Sequence, residues 1–185
     1  QVALTGSTNA DLLARVREGA SEGLWLRADA QDGGRGRMGR TWESPNGNLF
    51  ASTIVRIHSN DPPASTLAFV AGLAARDAIN AIASEVVVQL KWPNDIMAAS
   101  GAKLCGILLE RAGDCVVAGF GMNLRWHPDL PERPATDLAT MGANPPPPQA
   151  VVEVLAECFA NWLYRWRTVE LGSILRNWDL SAHAR

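Results

Sequence analysis

Apolar positions recur at helical spacing from Pro63 to roughly Ser84, through Leu67, Val70, Ala71, Ala74, Ala78 and Ile82, which predicts a long buried helix packed on a sheet. The same period returns late in the chain. Val151, Val154, Leu155, Cys158, Trp162 and Trp166 fall on one stripe, and a shorter helix is expected from about Leu171 to Asp179. Near the start, Ser7 or Thr8 can cap a helix whose first turn carries Asp11 and whose apolar face is Leu12, Leu13 and Val16, with Gly19 ending it.

Between these segments the pattern is that of strands. Val2 to Leu4, Leu24 to Ala28 and the β-branched run LFASTIVRI are three of them. VVVQL, Val86 to Leu90, reads as a buried strand that stops at KWPND, where Pro93 lacks a ladder donor and Asn94 and Asp95 favour a turn. KLCGILLE (Lys103 to Glu110) and CVVAGFGMNL (Cys115 to Leu124) follow, joined by the hairpin-like RAGD. The connections after Val86 are too short for repeated crossovers, so the expected fold class is α+β, with a mixed, largely antiparallel sheet packed with helices. A single domain over 1–185 is expected, divided into a sheet region at 1–125, a stiff proline-rich connector at 126–150 and C-terminal helices at 151–185.

Composition narrows the class. Hydrophobic residues make up 47% and charged residues 19%, with a formal net charge of -2, as in an ordinary globular protein and unlike a nucleic-acid-binding surface. Arg76 and Asp77 interrupt the longest alanine-rich run, and QVALTGSTNADLL has no basic start or unbroken apolar core, so neither a membrane span nor a signal peptide is read. Cys105, Cys115 and Cys158 are odd in number and lack CxxC spacing, which argues for reduced thiols and a cytoplasmic protein rather than a disulfide or zinc framework. His58, His127 and His183 sit in no motif and read as structural or exposed.

Against that background GGRGRMGR, Gly33 to Arg40, stands out with four glycines and three arginines. An RGG-type RNA contact, a plain surface loop and a flexible cradle for an anion all fit it when it is taken alone. Gly34, Gly36 and Gly39 would let backbone approach a ligand, while Arg35, Arg37 and Arg40 offer paired planar donors to carboxylate or phosphate. Trp42 suits a purine face or the core; Lys91 and Lys103 end apolar strands; Asn94, Asp95 and Asn123 offer amide and carboxylate groups suited to an adenine edge, a ribose or hydrated magnesium. No Walker A loop, dinucleotide fingerprint or GxSxG elbow is present, so chemistry by positioning and charge neutralisation remains.

GSTN (Gly6 to Asn9), ADAQDGGRGRMGRTWESP (Ala28 to Pro45), KWPNDIM (Lys91 to Met97), GAKLCGILLE (Gly101 to Glu110) and GFGMN (Gly119 to Asn123) resemble, in order and spacing, the successive motifs of biotin protein ligases. The resemblance implies a biotin/lipoate ligase-like, class II synthetase-like catalytic domain. It further implies an ATP- and magnesium-dependent enzyme that makes biotinyl-5'-AMP and passes biotin to a lysine of a carrier domain, such as that of acetyl-CoA carboxylase. By motif, Ser7, Thr8, Asn9 and Gln31 would hold biotin's ureido end, with Gly34 and Arg35 helping through backbone groups and Gly106 in the same biotin site. Arg37 and Lys103 would be catalytic, beside the biotin carboxylate and the α-phosphate. Trp42 would stack on adenine, Asn94 and Asn123 would recognise the nucleotide, and Arg40, Lys91 and Asp95 would complete the ATP and metal region, whose metal ligands the motifs leave unnamed.

The sequence departs from the family pattern at Met38, where many members carry a basic residue or histidine. It also implies that neither an N-terminal DNA-binding domain nor the small C-terminal β domain accompanies this chain. A homodimer through an exposed sheet edge is allowed. The rival readings are a lipoate or octanoate ligase of the same fold and a non-enzymatic biotinyl-AMP-binding module.

Overall fold

The computed structural model describes residues 1–182, so His183 lies outside the described residues. Seven strands form one sheet: β1 (Val2–Thr5), β2 (Trp25–Gln31), β3 (Leu49–Arg56), β4 (Val88–Lys91), β5 (Asp95–Ala98), β6 (Lys103–Ala112) and β7 (Cys115–Met122). Their spatial order is β1-β2-β3-β7-β6-β5-β4. The β1–β2 pair is parallel and every other pair antiparallel, and the short connections from β4 to β7 allow only the antiparallel arrangement there.

Strand periodicity divides the sheet into two chemically different faces. On β3 and β7, Leu49, Ala51, Val55, Val116, Ala118, Phe120 and Met122 enter the main core. There they meet α2 (Leu67–Ile82), α3 (Pro148–Thr168) and α4 (Leu171–Asp179), with α2 and α3 in extensive contact. The alternate positions, Ser52, Ile54, Cys115, Val117, Gly119 and Gly121, face the other way. Part of that face is covered by α1 (Thr8–Arg17), which drops Leu12 onto Leu26, Ile54, Cys115 and Val117. The rest of it is stripped of side chains by glycine, and that opening is where the site lies.

Several expectations need correction. VVVQL is not a buried strand: the strand begins at Val88, Val87 is 66% exposed, and β4 ends the sheet, so only Val86 and Leu90 are fully covered. DIMA, which the sequence reading passed over, is β5; four residues between a proline turn and a loop are too few to show a period. On α3 the covered positions include Val152 and Phe159, while Val154 and Cys158 are only half-buried. The proline-rich segment after Arg125 is more than a spacer. Lys103 exchanges backbone hydrogen bonds with it, Lys103 N to Pro134 O at 2.8 Å and Thr136 N to Lys103 O at 2.9 Å, which lays it along the start of β6. Among the described residues no helix is long and apolar enough to cross a membrane.

Candidate active site

The Arg/Gly segment folds as a small hairpin. Gly36 N donates to Arg40 O and Trp42 N to Gly34 O, Arg35 bridges Thr41, and Met38 (φ 59°) and Gly39 (φ 72°) turn the tip. Two ties hold it to the sheet: Arg37 Nη1 lies 3.4 Å from Asn94 Oδ1, and Arg35 Nη2 lies 3.7 Å from Glu110 Oε1. Asn94 is itself pinned to β6, exchanging hydrogen bonds with Ile107 through both backbone and side chain.

Trp42 leaves this hairpin and lies flat on the sheet. A Cβ at Gly121 would stand 2.5 Å from the indole Nε1, and one at Gly106 would stand 2.9 Å from Cζ3. These two glycines are register partners on β7 and β6, so together they make a trough one indole wide. The Trp42 Nε1 is buried without a hydrogen-bond partner in the protein, which leaves a donor for whatever enters. Lys103 Nζ sits over the ring, 5.2 Å from its centre, and 2.6 Å from Asp95 Oδ1. Apart from this ion pair, Asp95 Oδ1 meets no hydrogen-bond donor in the protein.

Beyond the trough the walls become polar. Ser7 caps α1, accepting from Ala10 N at 3.5 Å, so the helix start presents Ser7, Thr8 and Asn9 to the cavity. Gln31, from the end of β2, accepts from Thr8 N at 2.8 Å. The cavity of about 490 Å³ that results is lined by every residue that the family motifs assigned to biotin or ATP except Gly34. Gly34 is buried behind the wall, where a side chain would collide with the Trp42 carbonyl and Ser44 Oγ; it lets the hairpin close rather than touching the cavity. Asn123 lines the wall, but its Nδ2 donates to Thr136 O at 2.9 Å, so it also ties the connector to β7.

Sequence reasoning missed the opposite wall, formed by Pro128, Leu130, Glu132, Arg133, Pro134 and Ala135 of the connector. Its base is fixed by Asn48, whose Oδ1 accepts from the backbone N–H groups of Leu124, Arg125 and Trp126. A second clasp pairs His127 Nδ1 with Asp137 Oδ2 at 2.5 Å. Burial would push the Asp137 carboxyl up, but the Thr140 amide and hydroxyl together with His127 hold it below the ordinary carboxylate range. No spacing signal marks such a wall; the ATDL run that holds it only makes sense once the backbone pairing is seen.

The arrangement joins an end rich in hydrogen-bond acceptors to a strip of cations, Arg37, Arg40, Lys91 and Lys103, across a flat aromatic floor. Among the described residues no cluster of three or more His, Cys, Asp or Glu forms a metal cage. Asp95, paired with Lys103, is the carboxylate beside the cation strip, and a metal carried on nucleotide phosphates needs only one or two carboxylates from a protein.

A fold of this topology with this site defines a class. The family model for the biotin/lipoate A/B protein ligase family matches residues 3–123, and the chain belongs to that family. Within it, the chain is 34% identical over 194 residues to the biotin--[acetyl-CoA-carboxylase] ligase of Paracoccus denitrificans, an alignment covering 96% of this chain and 78% of that protein. It is 38% identical over 173 residues to the protein of the same name from Mycobacterium tuberculosis, covering 90% of this chain and 64% of that one. Among solved structures, the biotin protein ligase of Aquifex aeolicus in complex with biotin and ATP superposes with a TM-score of 0.86 at 26% identity, over 98% of this chain and 76% of that one. The biotin protein ligase of Leishmania major in complex with biotinyl-5-AMP gives 0.85 at 25% identity, over 100% and 83%.

Proposed function

We propose that this chain is an ATP-dependent biotin protein ligase, which forms biotinyl-5'-AMP and then transfers biotin to a lysine of a biotin carrier domain in a biotin-dependent carboxylase. The observation that carries the reading is the single cavity in which acceptor groups at Thr8 and Gln31 face a cation strip across the Trp42 floor. A bicyclic urea with a carboxylate tail fits that polarity: the urea at the acceptor end, the tail pointing toward Lys103 and Arg37.

Adenylation asks two things of the protein. The carboxylate must be held in line with the α-phosphorus, and the charge that gathers on the phosphate oxygens as the new bond forms must be offset. Lys103 and Arg37 are the donors for that charge, and Arg40 and Lys91 extend the strip toward the departing pyrophosphate. Trp42 offers its face to adenine, with Asn94 and Asn123 at the nucleotide edge. Asp95 would hold the magnesium that travels with ATP, whose contribution is to neutralise phosphate charge. In the second step the acceptor lysine's amine attacks the acyl carbon of the mixed anhydride, and AMP leaves.

The reading places the reaction in the cytoplasm, where ATP and unmodified carrier domains meet, and includes a homodimer through an open sheet edge. The test is pyrophosphate release by the purified chain with MgATP, comparing biotin with lipoate and octanoate, followed by transfer to an isolated carrier domain. Biotin-dependent release with biotinylated carrier is the expected result. Release with lipoate or octanoate alone would reassign the substrate, and tight biotinyl-AMP binding without release or transfer would make the chain a binding module. Sedimentation of the same preparation tests the homodimer.

A further inference from the structure

A continuous chain of hydrogen bonds runs behind the polar end of the cavity, and its far terminus is a carboxylate. Asn9 Nδ2 donates to Glu110 Oε2 at 2.9 Å and to Leu108 O at 3.2 Å. Both partners can only accept, so the Asn9 amide has one orientation. Its Oδ1 therefore faces Ser52, whose Oγ donates to it at 2.6 Å. Ser52 has a single hydroxyl proton and has given it to Asn9. The 2.7 Å contact between Thr8 Oγ1 and Ser52 Oγ, which distance alone leaves undirected, must then run from Thr8 to Ser52. Gln31 Oε1, 3.2 Å from Thr8 Oγ1, is a second acceptor for the same proton, so the Thr8 hydroxyl donates within the wall and not into the cavity.

A second arm constrains Gln31 in the same sense. Gln31 Nε2 donates to Ser44 Oγ at 3.1 Å, and Ser44 Oγ donates to Trp42 O at 3.0 Å. This turns Gln31 Oε1 toward Thr8. Thr8, Asn9 and Ser52 are 4%, 4% and 0% exposed, so no water competes for these protons at little cost. Gly119 completes the device, because any side chain there would overlap the Asn9 amide that lies on it.

We propose that Glu110 and Ser52, neither of which lines the main cavity, are positioning residues that fix the direction of every proton in this relay, so that Thr8 meets the ligand only as an acceptor and the cavity's polar end selects an N–H. The inference rests on the biotin reading in one respect, that the ureido N–H is the group selected. The same carboxylate also holds Arg35 through Oε1, so a single side chain sets both the proton order and one anchor of the hairpin.

The test compares binding of biotin with that of the two cyclic carbamate analogues in which one or the other ureido N–H is replaced by oxygen, measured by calorimetry on the full chain. The unchanged protein is expected to reject the analogue whose oxygen faces Thr8 by about 10²-fold or more, because two acceptors then oppose each other. Ser52→Ala removes the nearer acceptor and leaves the Thr8 hydroxyl only the 3.2 Å contact to Gln31 Oε1, which Thr8 N already occupies, so Thr8 can turn to donate to that analogue and the biotin-to-carbamate preference should fall about three- to tenfold. Glu110→Gln leaves Leu108 O, at 3.2 Å, as the one remaining accept-only partner of the Asn9 amide, so the flipped amide costs less and the same preference should fall by a smaller factor, and its partly exposed position keeps this arm usable if Ser52→Ala does not fold. The KM for ATP, which a general loss of structure would raise, should stay within about twofold in Ser52→Ala, while Glu110→Gln, which also loosens Arg35, is judged by the biotin-to-carbamate preference alone. Biotin binding with an unchanged preference in both variants overturns the relay and leaves the ligase reading standing. No biotin binding by the unchanged protein overturns both.

Discussion

Lys103 Nζ and Asp95 Oδ1 stand 2.6 Å apart, the lysine on one strand of the sheet and the carboxylate on its neighbour, each side chain about a quarter exposed. The sequence put both residues in the phosphate region without relating them. Their pairing holds the lysine over Trp42, so in the proposed role Lys103 would reach the reacting carboxylate with little reorganisation. Lys103→Ala should slow biotin-dependent pyrophosphate release by about 10²–10³-fold. A part-exposed pair contributes about 1 kcal/mol or less, so the thermal midpoint should move by only about 2–4 °C. An intact adenylation rate would make Lys103 a structural strand-end lysine.

Gly121→Ala should evict Trp42. The new methyl would stand 2.5 Å from the indole Nε1, and the paired Gly106 strand leaves no room for a sideways shift without the ring lifting off the floor. With the proposed adenine platform displaced, the KM for ATP should rise about tenfold while the biotin Kd changes by less than about threefold. An unchanged ATP KM would remove Trp42 from the nucleotide site.

What the sequence made legible follows from how local each signal is. The helices at Leu67 and Leu171 and the strands through Phe50, Ile107 and Val117 carry periods long enough to read, and the charged and aromatic side chains of the site announce themselves by type. The misses have non-local causes. Asn48 looked like one more residue of a turn, because its three backbone donors lie about 76 residues away in sequence. Glu110 entered only as the last residue of KLCGILLE, because the amide it orients belongs to Asn9 on the first helix. The connector wall has no period at all and owes its place to backbone pairing with Lys103.

The hairpin tip offers a gain of order without a change of charge. Met38 (φ 59°, ψ 31°) and Gly39 (φ 72°) occupy the two central positions of a turn closed by Arg40 N to Arg37 O, the mirror-image geometry that favours Asn-Gly. Methionine carries a left-handed penalty there that asparagine largely avoids. Met38→Asn should stabilise the tip by about 0.5–1 kcal/mol and slow tryptic cleavage after Arg37 and Arg40 about two- to five-fold. Biotinyl-AMP should protect the same bonds in the unchanged protein, whereas Arg37→Ala should speed release of that intermediate by loosening the clamp. Equal cleavage with and without the intermediate would remove the hairpin from the site.

Asn48 tests the connector wall. It is fully buried, accepts three backbone N–H groups and donates Nδ2 to Trp126 O at 2.8 Å. Asn48→Ala leaves those donors without their acceptor, an expected loss of about 2–4 kcal/mol and a fall of about 5–15 °C in Tm. A fall under about 2 °C would show that the Leu124–Trp126 turn holds itself and that the wall is anchored elsewhere.

Cys105 should make the protein sensitive to alkali. Burial pushes its thiol from the ordinary 9.0 up to about 12, with Lys103 pulling weakly the other way. Below pH 9 the thiol is protonated in both folded and unfolded chains and contributes no pH dependence. Between pH 9 and 12 the unfolded chain gives up a proton that the folded chain keeps, so stability falls as pH rises, by up to about 1.4 kcal/mol per pH unit. Cys105→Ala costs some packing at every pH but has no proton to release. Urea unfolding of both proteins at about pH 8.5 and about pH 10.5 should therefore show the unchanged chain losing more stability over that interval than the variant. Cys115 and Cys158, whose thiols are also raised, chiefly by burial, are present in both and cancel. Equal losses in the two proteins would mean that the Cys105 thiol ionises as freely in the fold as out of it.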